Sequence, residues 1–289
     1  MKAVSSLLLA ACLALALPYA AAAVPAAVVE GVQMPAWVER DGARAPLAPG
    51  MALHSGDRLS TGAGARLLLR LGEGSSVKLG ENAGLTLERI GRERDGVFGA
   101  ALRVLQGAFR FTTAVIAKHR RRDVRITLHT VTAGIRGTDV WGRSTEPKQI
   151  VCLIEGRVEV QPQGERAITM DQPLQFYQRE HGKSQPLASV SRAQLAKWAA
   201  ETEIERGAGA ALRGGRWQVT LLAADTQAAA LAVYDRARAA GYAAEIHPQR
   251  AALRWRYEVR IRHLRSKTDA VTLATRLGGD LGVVPRVSK

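Results

Sequence analysis

The sequence predicts two folded units in series, an all-β unit followed by an α+β unit. Three observations carry this expectation. Residues 24–190 hold many short apolar runs with two-residue alternation, separated by glycine-bearing turns. Residues 214–289 contain two halves offset by 40 residues, each pairing a strand pattern with an amphipathic helix pattern. Residues 191–213 read as a helix followed by a flexible Gly-rich run, and so as a linker.

The first 23 residues read as a secretory signal: Lys2, an apolar run from Leu7 to Leu17, Pro18, and Ala21 and Ala23 spaced for cleavage before Val24. The stretch LAAC ending at Cys12 resembles a lipobox. The apolar run continues past Cys12, however, so lipid anchoring there is not expected. No later run reaches the ~20 apolar residues of a spanning helix, so the exported chain is expected to carry no transmembrane segment.

Lys and Arg number 41 against 26 Asp and Glu, a formal charge of +15 that favours an anionic partner. Export directs that preference to the polymers and lipids of the envelope and away from nucleic acid. Residues 214–289 carry net +7 and the longer 24–190 segment net +6, so the second unit is the more densely basic.

Nothing in the chain predicts catalysis. Cleavage leaves Cys152 alone, which excludes an internal disulfide, and its apolar setting IVCLIEG reads as a core thiol. The six histidines are scattered, and no metal-ligand spacing or nucleophile elbow is present. The run RGAGAALRGG lacks the third glycine of a phosphate loop and follows a helix instead of a strand. No enzyme activity, metal or cofactor is expected.

In the first unit, ARLLLRL, SSVKL, AGLTLERI, ALRVL, AFRFTT, DVRITLHT, TDVWGRS, QIVCLI and RVEVQ read as strands of a sandwich, roll or solenoid. The stretch TAGIRGTDVWGRS, residues 132–144, reads as a structural corner and not a ligand site. Gly134 and Gly137 would relieve a tight strand entry, Arg136 would tie strand carbonyls or a carboxylate, and Thr138 and Asp139 would bond local amides. The basic run KHRRRD, 118–123, reads as a solvated loop able to attract anionic surfaces.

The blocks from GDRLSTGAGARLLLRL through LQGAFRF and TAGIRGTDV to VCLIEGRVEV, Gly56 to Gln161, resemble the FecR-type periplasmic domain. The resemblance implies a compact solenoid- or roll-like interaction domain in the periplasm, used to meet an envelope protein partner.

In the second unit the repeat aligns Val219 with Val259, Leu221 with Ile261, Thr226 with Ser266, Ala230 with Ala270, Val233 with Leu273 and Ala237 with Leu277. Thr226 and Ser266 read as helix caps, Ser266 with Asp269 as a capping box, and Gly241 and Gly278 as helix ends. With YAAEIH and VVPRV as closing strands, the order is β-α-β-β-α-β. YEVRI followed by RSKTDA is similar to the SPOR domain. That resemblance implies an RNP-like fold and binding to peptidoglycan glycan strands stripped of their stem peptides.

Strand parity assigns Val219, Leu221, Val259 and Ile261 to the helices. Gln218, Thr220, Leu222, Arg256, Glu258, Arg260 and Arg262 are then expected on an open basic face. Gln218, Thr220, Arg256, Arg260 and Arg262 are the candidate glycan-binding residues, the arginines suiting muramyl carboxylates. Trp217, Trp255 and Tyr257 share the core parity, so this face lacks the aromatic platform of an RNA-binding sheet.

The leading expectation is a non-enzymatic periplasmic protein that binds peptidoglycan and presents an interaction domain. The alternatives are a FecR-type regulatory component or an activator of a wall-remodelling enzyme. FecR-type regulators of iron-uptake transcription carry a cytoplasmic segment and a membrane helix ahead of the domain, whereas here it follows the signal-like sequence almost directly.

Overall fold

The computed structural model describes residues 25–92, 95–114, 122–251 and 254–289. The signal-like segment with Cys12, and residues 118–121 of the basic run, lie outside the described residues.

Alternation sets the strands of the first unit. In strand Arg66–Leu71, Leu67, Leu69 and Leu71 are buried while Leu68 and Arg70 point outward. This strand lies antiparallel between Ala27–Gln33 and Ser76–Leu79, and Ser76–Leu79 pairs in turn with the long strand Phe98–Thr112. Strand Arg58–Thr61 joins the pair Ala36–Arg40 and Ala43–Pro46 to Gly84–Arg92. Asp57 pins these turns: Arg40 donates Nε and Nη2 to its two oxygens at 2.7 Å each, and His54 N–H donates at 2.8 Å.

Three long strands, Phe98–Thr112, Val131–Ser144 and Lys148–Pro162, change partners part-way along. The first runs parallel to Arg122–Leu128 as far as Val104, then antiparallel to Val131–Ser144 from Gly107. Strand Val131–Ser144 leaves Arg122–Leu128 after Ile135 and joins Phe98–Thr112 at Asp139. The bends fall at Gly107, Gly137 and Gly156, with φ of 84°, 71° and 91°. At the central crossing only glycines fit, because a Cβ on Gly156 would lie 2.5 Å from the Gly137 carbonyl oxygen. The unit is mostly strand, as expected, and its ladders are antiparallel apart from the one parallel pair among the described residues.

Residues 217–288 run strand Trp217–Ala224, helix Gln227–Ala239, strands Glu245–Ala251 and Arg254–Leu264, helix Lys267–Leu281 and strand Arg286–Ser288. The antiparallel order across this sheet is Glu245–Ala251, Arg254–Leu264, Trp217–Ala224, Arg286–Ser288. Val219, Leu221, Val259 and Ile261 are buried with Ala230, Val233, Ala237, Ala270, Leu273 and Leu277 of the helices. The shared spacing of the two halves therefore matches shared burial. Thr226 and Ser266 accept from the N–H groups of Ala229 and Asp269, capping the helices. Gly241 follows the first helix with φ of 85°, whereas the second runs past Gly278 to a left-handed Gly282. Gly278 is therefore inside its helix, where Gly282 N–H bonds its carbonyl at 3.1 Å.

The segment between the units is not a free linker. Helix Arg192–Ala200 forms as expected, but the Gly-rich run contains strand Ala210–Leu212, which pairs with Ala27–Gln33 on one side and Arg254–Leu264 on the other. Asp269, whose capping role was expected, also draws this run in: Oδ1 accepts from the N–H groups of Gly209 and Ala210 at 3.1 and 3.3 Å. Glycine content lets the chain approach a buried carboxylate closely, and hydrogen bonding then fixes it.

The units also meet directly. Ala36 N–H donates to Gly241 O at 3.2 Å, and Arg276 Nη1 donates to Met34 O at 2.9 Å. A Cβ on Gly241 would fall 2.5 Å from the Trp37 ring, so the contact requires glycine.

Candidate functional site

Strand Val131–Ser144 carries all five residues expected to form a structural corner, and the structure divides them. Thr138 is buried, but its Oγ1, expected to bond a local amide, has no hydrogen-bond partner; its backbone bonds instead, N–H donating to Thr113 Oγ1 at 3.1 Å and the carbonyl accepting from Thr113 N–H at 3.0 Å. Asp139, expected to bond local amides, instead grips an arginine from the neighbouring strand. Arg110 donates Nε to Oδ1 at 2.9 Å and Nη2 to Oδ2 at 2.7 Å, and Thr112 Oγ1 adds a bond at 3.2 Å. This planar two-bond pairing raises the Arg110 pKa above its usual value against the opposing effect of burial.

Arg136 does not have the role expected of it. It is exposed, with no ion pair or side-chain hydrogen bond among the described residues. Gly134 is likewise no corner: its φ is not positive, and an added Cβ would meet nothing nearer than 3.8 Å. Within these five residues the turning function belongs to Gly137 alone.

Arg110 extends the pairing into the connecting segment. Its Nη1 donates to Glu203 Oε1 at 3.0 Å, and Lys78 Nζ reaches the two Glu203 oxygens at 2.5 and 2.7 Å. Arg143 pairs with Glu201. Trp141 stacks on Trp198 of helix Arg192–Ala200 with centroids 4.8 Å apart and planes at 8°, while Phe176 meets Trp198 edge-on at 5.9 Å. The TDVW motif therefore clamps the 191–213 segment through charge at Asp139 and through packing at Trp141. Sequence reading missed Arg110, Lys78, Glu201 and Glu203; an arginine inside the apolar run AFRF was the one available signal.

On the second unit, Gln218, Thr220, Arg260 and Arg262 do line one face, in cross-strand register with Ser288, Arg286 and Glu245. Two arginines on it are already engaged. Arg260 Nε donates to Glu245 Oε1 at 2.9 Å, and Arg262 Nη1 lies 3.5 Å from the same oxygen. Gln218 bonds Ser288 Oγ at 3.1 Å, and Arg256 is exposed beside Gln249. The face is less basic than strand parity alone implied.

Leu222 does not belong to that face. A bulge between Thr220 and Leu222 puts Leu222 opposite Val259 and turns it to the core, with Ala223 now opposite Glu258. Trp255 has the core parity but is 54% exposed, because strand Trp217–Ala224 ends opposite Tyr257.

Cys152 is buried, and burial pushes its thiol up to about 12. Among the described residues no group of His, Cys, Asp and Glu is placed to hold a metal ion, and no helix is long and apolar enough to cross a membrane.

No curated protein matches the chain in sequence. Two crystal structures of a candidate anti-sigma factor from Parabacteroides distasonis are similar in part. The one at 1.65 Å resolution aligns over 49% of this chain and 64% of its own length, with 12% identity and a TM-score of 0.41. The one at 2.50 Å aligns over 78% of this chain and 91% of its own, with 13% identity and a TM-score of 0.42. This chain thus spans less than two thirds of the first of them. Residues 57–159, from the buried Asp57 through the Asp139 clamp to the Gly156 crossing, match the family described as FecR protein, and this match marks a FecR domain in the first unit.

Proposed function

We propose that this chain is a non-catalytic regulatory component of the cell envelope, of the FecR type. Its FecR domain receives an envelope partner, and the 191–213 segment passes the state of that domain to the second unit. The observation that supports this reading most is the position of Glu203. It joins Arg110, and through it Asp139 of the FecR domain, to the segment whose strand Ala210–Leu212 pairs with both units. A partner that moves strand Val131–Ser144 therefore acts on the link to the second unit.

The test is a transcript profile of the source bacterium without the gene. Regulation predicts a restricted set of altered transcripts, restored by the native gene and not by an Asp139→Ala variant that accumulates to the native level. An unaltered profile would contradict it.

Glycan binding by the second unit is the next reading. The β-α-β-β-α-β order and the exposed Arg256 on the face of Gln218 and Thr220 favour it; the prior engagement of Arg260 and Arg262 by Glu245 counts against it. Cosedimentation with amidase-stripped sacculi separates the two. Specific binding persists at physiological salt and falls in Arg256→Ala, whereas charge attraction alone is lost with salt.

A further inference from the structure

The ribbon of strands Glu245–Ala251 and Arg254–Leu264 runs past the rest of its sheet. Strand Trp217–Ala224 ends opposite Tyr257, so the last rungs of the ribbon have no third strand beside them among the described residues. These rungs pair Gln249 with Arg256, Arg250 with Trp255 and Ala251 with Arg254. Directly opposed residues share a face, and faces alternate along a strand. Arg250 and Trp255 therefore stand on the side of the helices, and Arg254 and Arg256 stand with Gln249 on the open side.

This end of the ribbon is bare and positively charged. Gln249, Arg250, Arg254 and Arg256 are exposed, and Trp255 is 54% exposed. None of the three arginines has an ion pair or side-chain hydrogen bond among the described residues. Glu258, the one carboxylate on strand Arg254–Leu264, accepts from Gln249 Nε2 at 3.1 Å. Three unpaired cations thus surround an exposed indole.

We propose that this ribbon seats end-on at an anionic lipid surface, with Arg250, Arg254 and Arg256 meeting headgroup phosphates and Trp255 lying at the level of the headgroups. Charge on both faces favours this occupant over a polymer or protein docked against one face, which would leave part of the arginine set unused. A projecting ribbon also lacks the concavity of a small-molecule site. Pro248 removes a donor from the outer edge and the arginines repel an added strand, so the ribbon is not built for strand addition. Indole and guanidinium both suit the interface, since each joins an apolar body or stem to a polar end that stays among the headgroups.

The test uses both units, residues 24–289, floated with phosphatidylcholine vesicles with and without phosphatidylglycerol at about 0.15 M salt. Binding is expected only where phosphatidylglycerol is present. The double variant Arg250→Ala/Arg254→Ala should weaken it more than about tenfold, at roughly fivefold per basic side chain; Arg256 is left in place so that the open face of the sheet is unaltered. Trp255→Ala should weaken it about fivefold or more, the scale of half-burying a large apolar side chain. Brominated lipid should quench tryptophan emission in the native chain and less in Trp255→Ala. Arg166→Ala/Arg192→Ala removes the same charge from exposed positions elsewhere and should leave binding unchanged. Failure to float with phosphatidylglycerol would overturn the proposal, as would an equal loss in Arg166→Ala/Arg192→Ala or flotation untouched by Trp255→Ala. Cosedimentation with sacculi without flotation would likewise overturn it and assign the ribbon to a wall polymer.

Discussion

Trp141 and Trp198 lie face to face at 4.8 Å, one in the FecR domain and the other in the helix that leaves it. The stack sits in a small separate core with Cys152, Ile150 and Val190. Replacing Trp198 by Ala removes the partner of Trp141 and is expected to cost about 2–4 kcal/mol, less than a fully enclosed tryptophan because Trp198 is partly exposed. Urea unfolding of the full chain, read by circular dichroism, measures this.

The Asp139 clamp makes a prediction about coupling. Arg110→Ala and Glu203→Ala should be non-additive, with an interaction energy of about 0.5–2 kcal/mol from a double-mutant cycle, because both remove the same ion pair. Additive costs would mean that the pair contributes nothing beyond its separate surroundings.

Asp57 predicts a pH dependence. Burial alone would raise its pKa, but the Arg40 bonds and the His54 N–H together hold it below the ordinary aspartate value. A lowered folded value means that the stabilisation is complete above the unfolded aspartate pKa, about 3.9, and disappears as pH falls through the folded value. Asp57→Asn should therefore be clearly less stable than the native chain at neutral pH and approach it in acid. A stability gap that does not narrow in acid would contradict the assignment.

Two glycines should respond in opposite ways to alanine. Gly156→Ala forces a Cβ against the Gly137 carbonyl in a positive-φ backbone, and about 2–4 kcal/mol of destabilisation is expected. Gly134→Ala, with room for the methyl and no positive φ, should be neutral or stabilising by up to about 1 kcal/mol. Thermal unfolding of both variants checks the pair.

Cys152 should resist alkylation. With its thiol pushed up to about 12 and its sulfur buried, it should react with iodoacetamide at pH 8 only as fast as the protein opens. Rapid labelling of the folded chain would place it at the surface.

Elements set by local rules were legible in the sequence: the period of two that buries Leu67, Leu69 and Leu71, and the caps at Thr226 and Ser266. What escaped was set by contacts distant in sequence. Asp139 has its arginine 29 positions away at Arg110, and Glu203 meets Lys78 across 125. The bulge that turns Leu222 inward left no mark in its own residues, since it is the mismatch between two paired strands that creates it. The Gly-rich run read as flexible because glycine permits flexibility; Asp269 and two strand ladders remove it.

The central claim is that the FecR domain controls the segment linking it to the second unit, and hydrogen exchange tests this most directly. Amide exchange across 198–212 is compared between the native chain and Asp139→Ala under conditions where both are folded. The account predicts faster exchange in 198–212, including Ala210–Leu212, in the variant. Exchange that rises only around 108–113 and 136–141, with 198–212 unchanged, would contradict it.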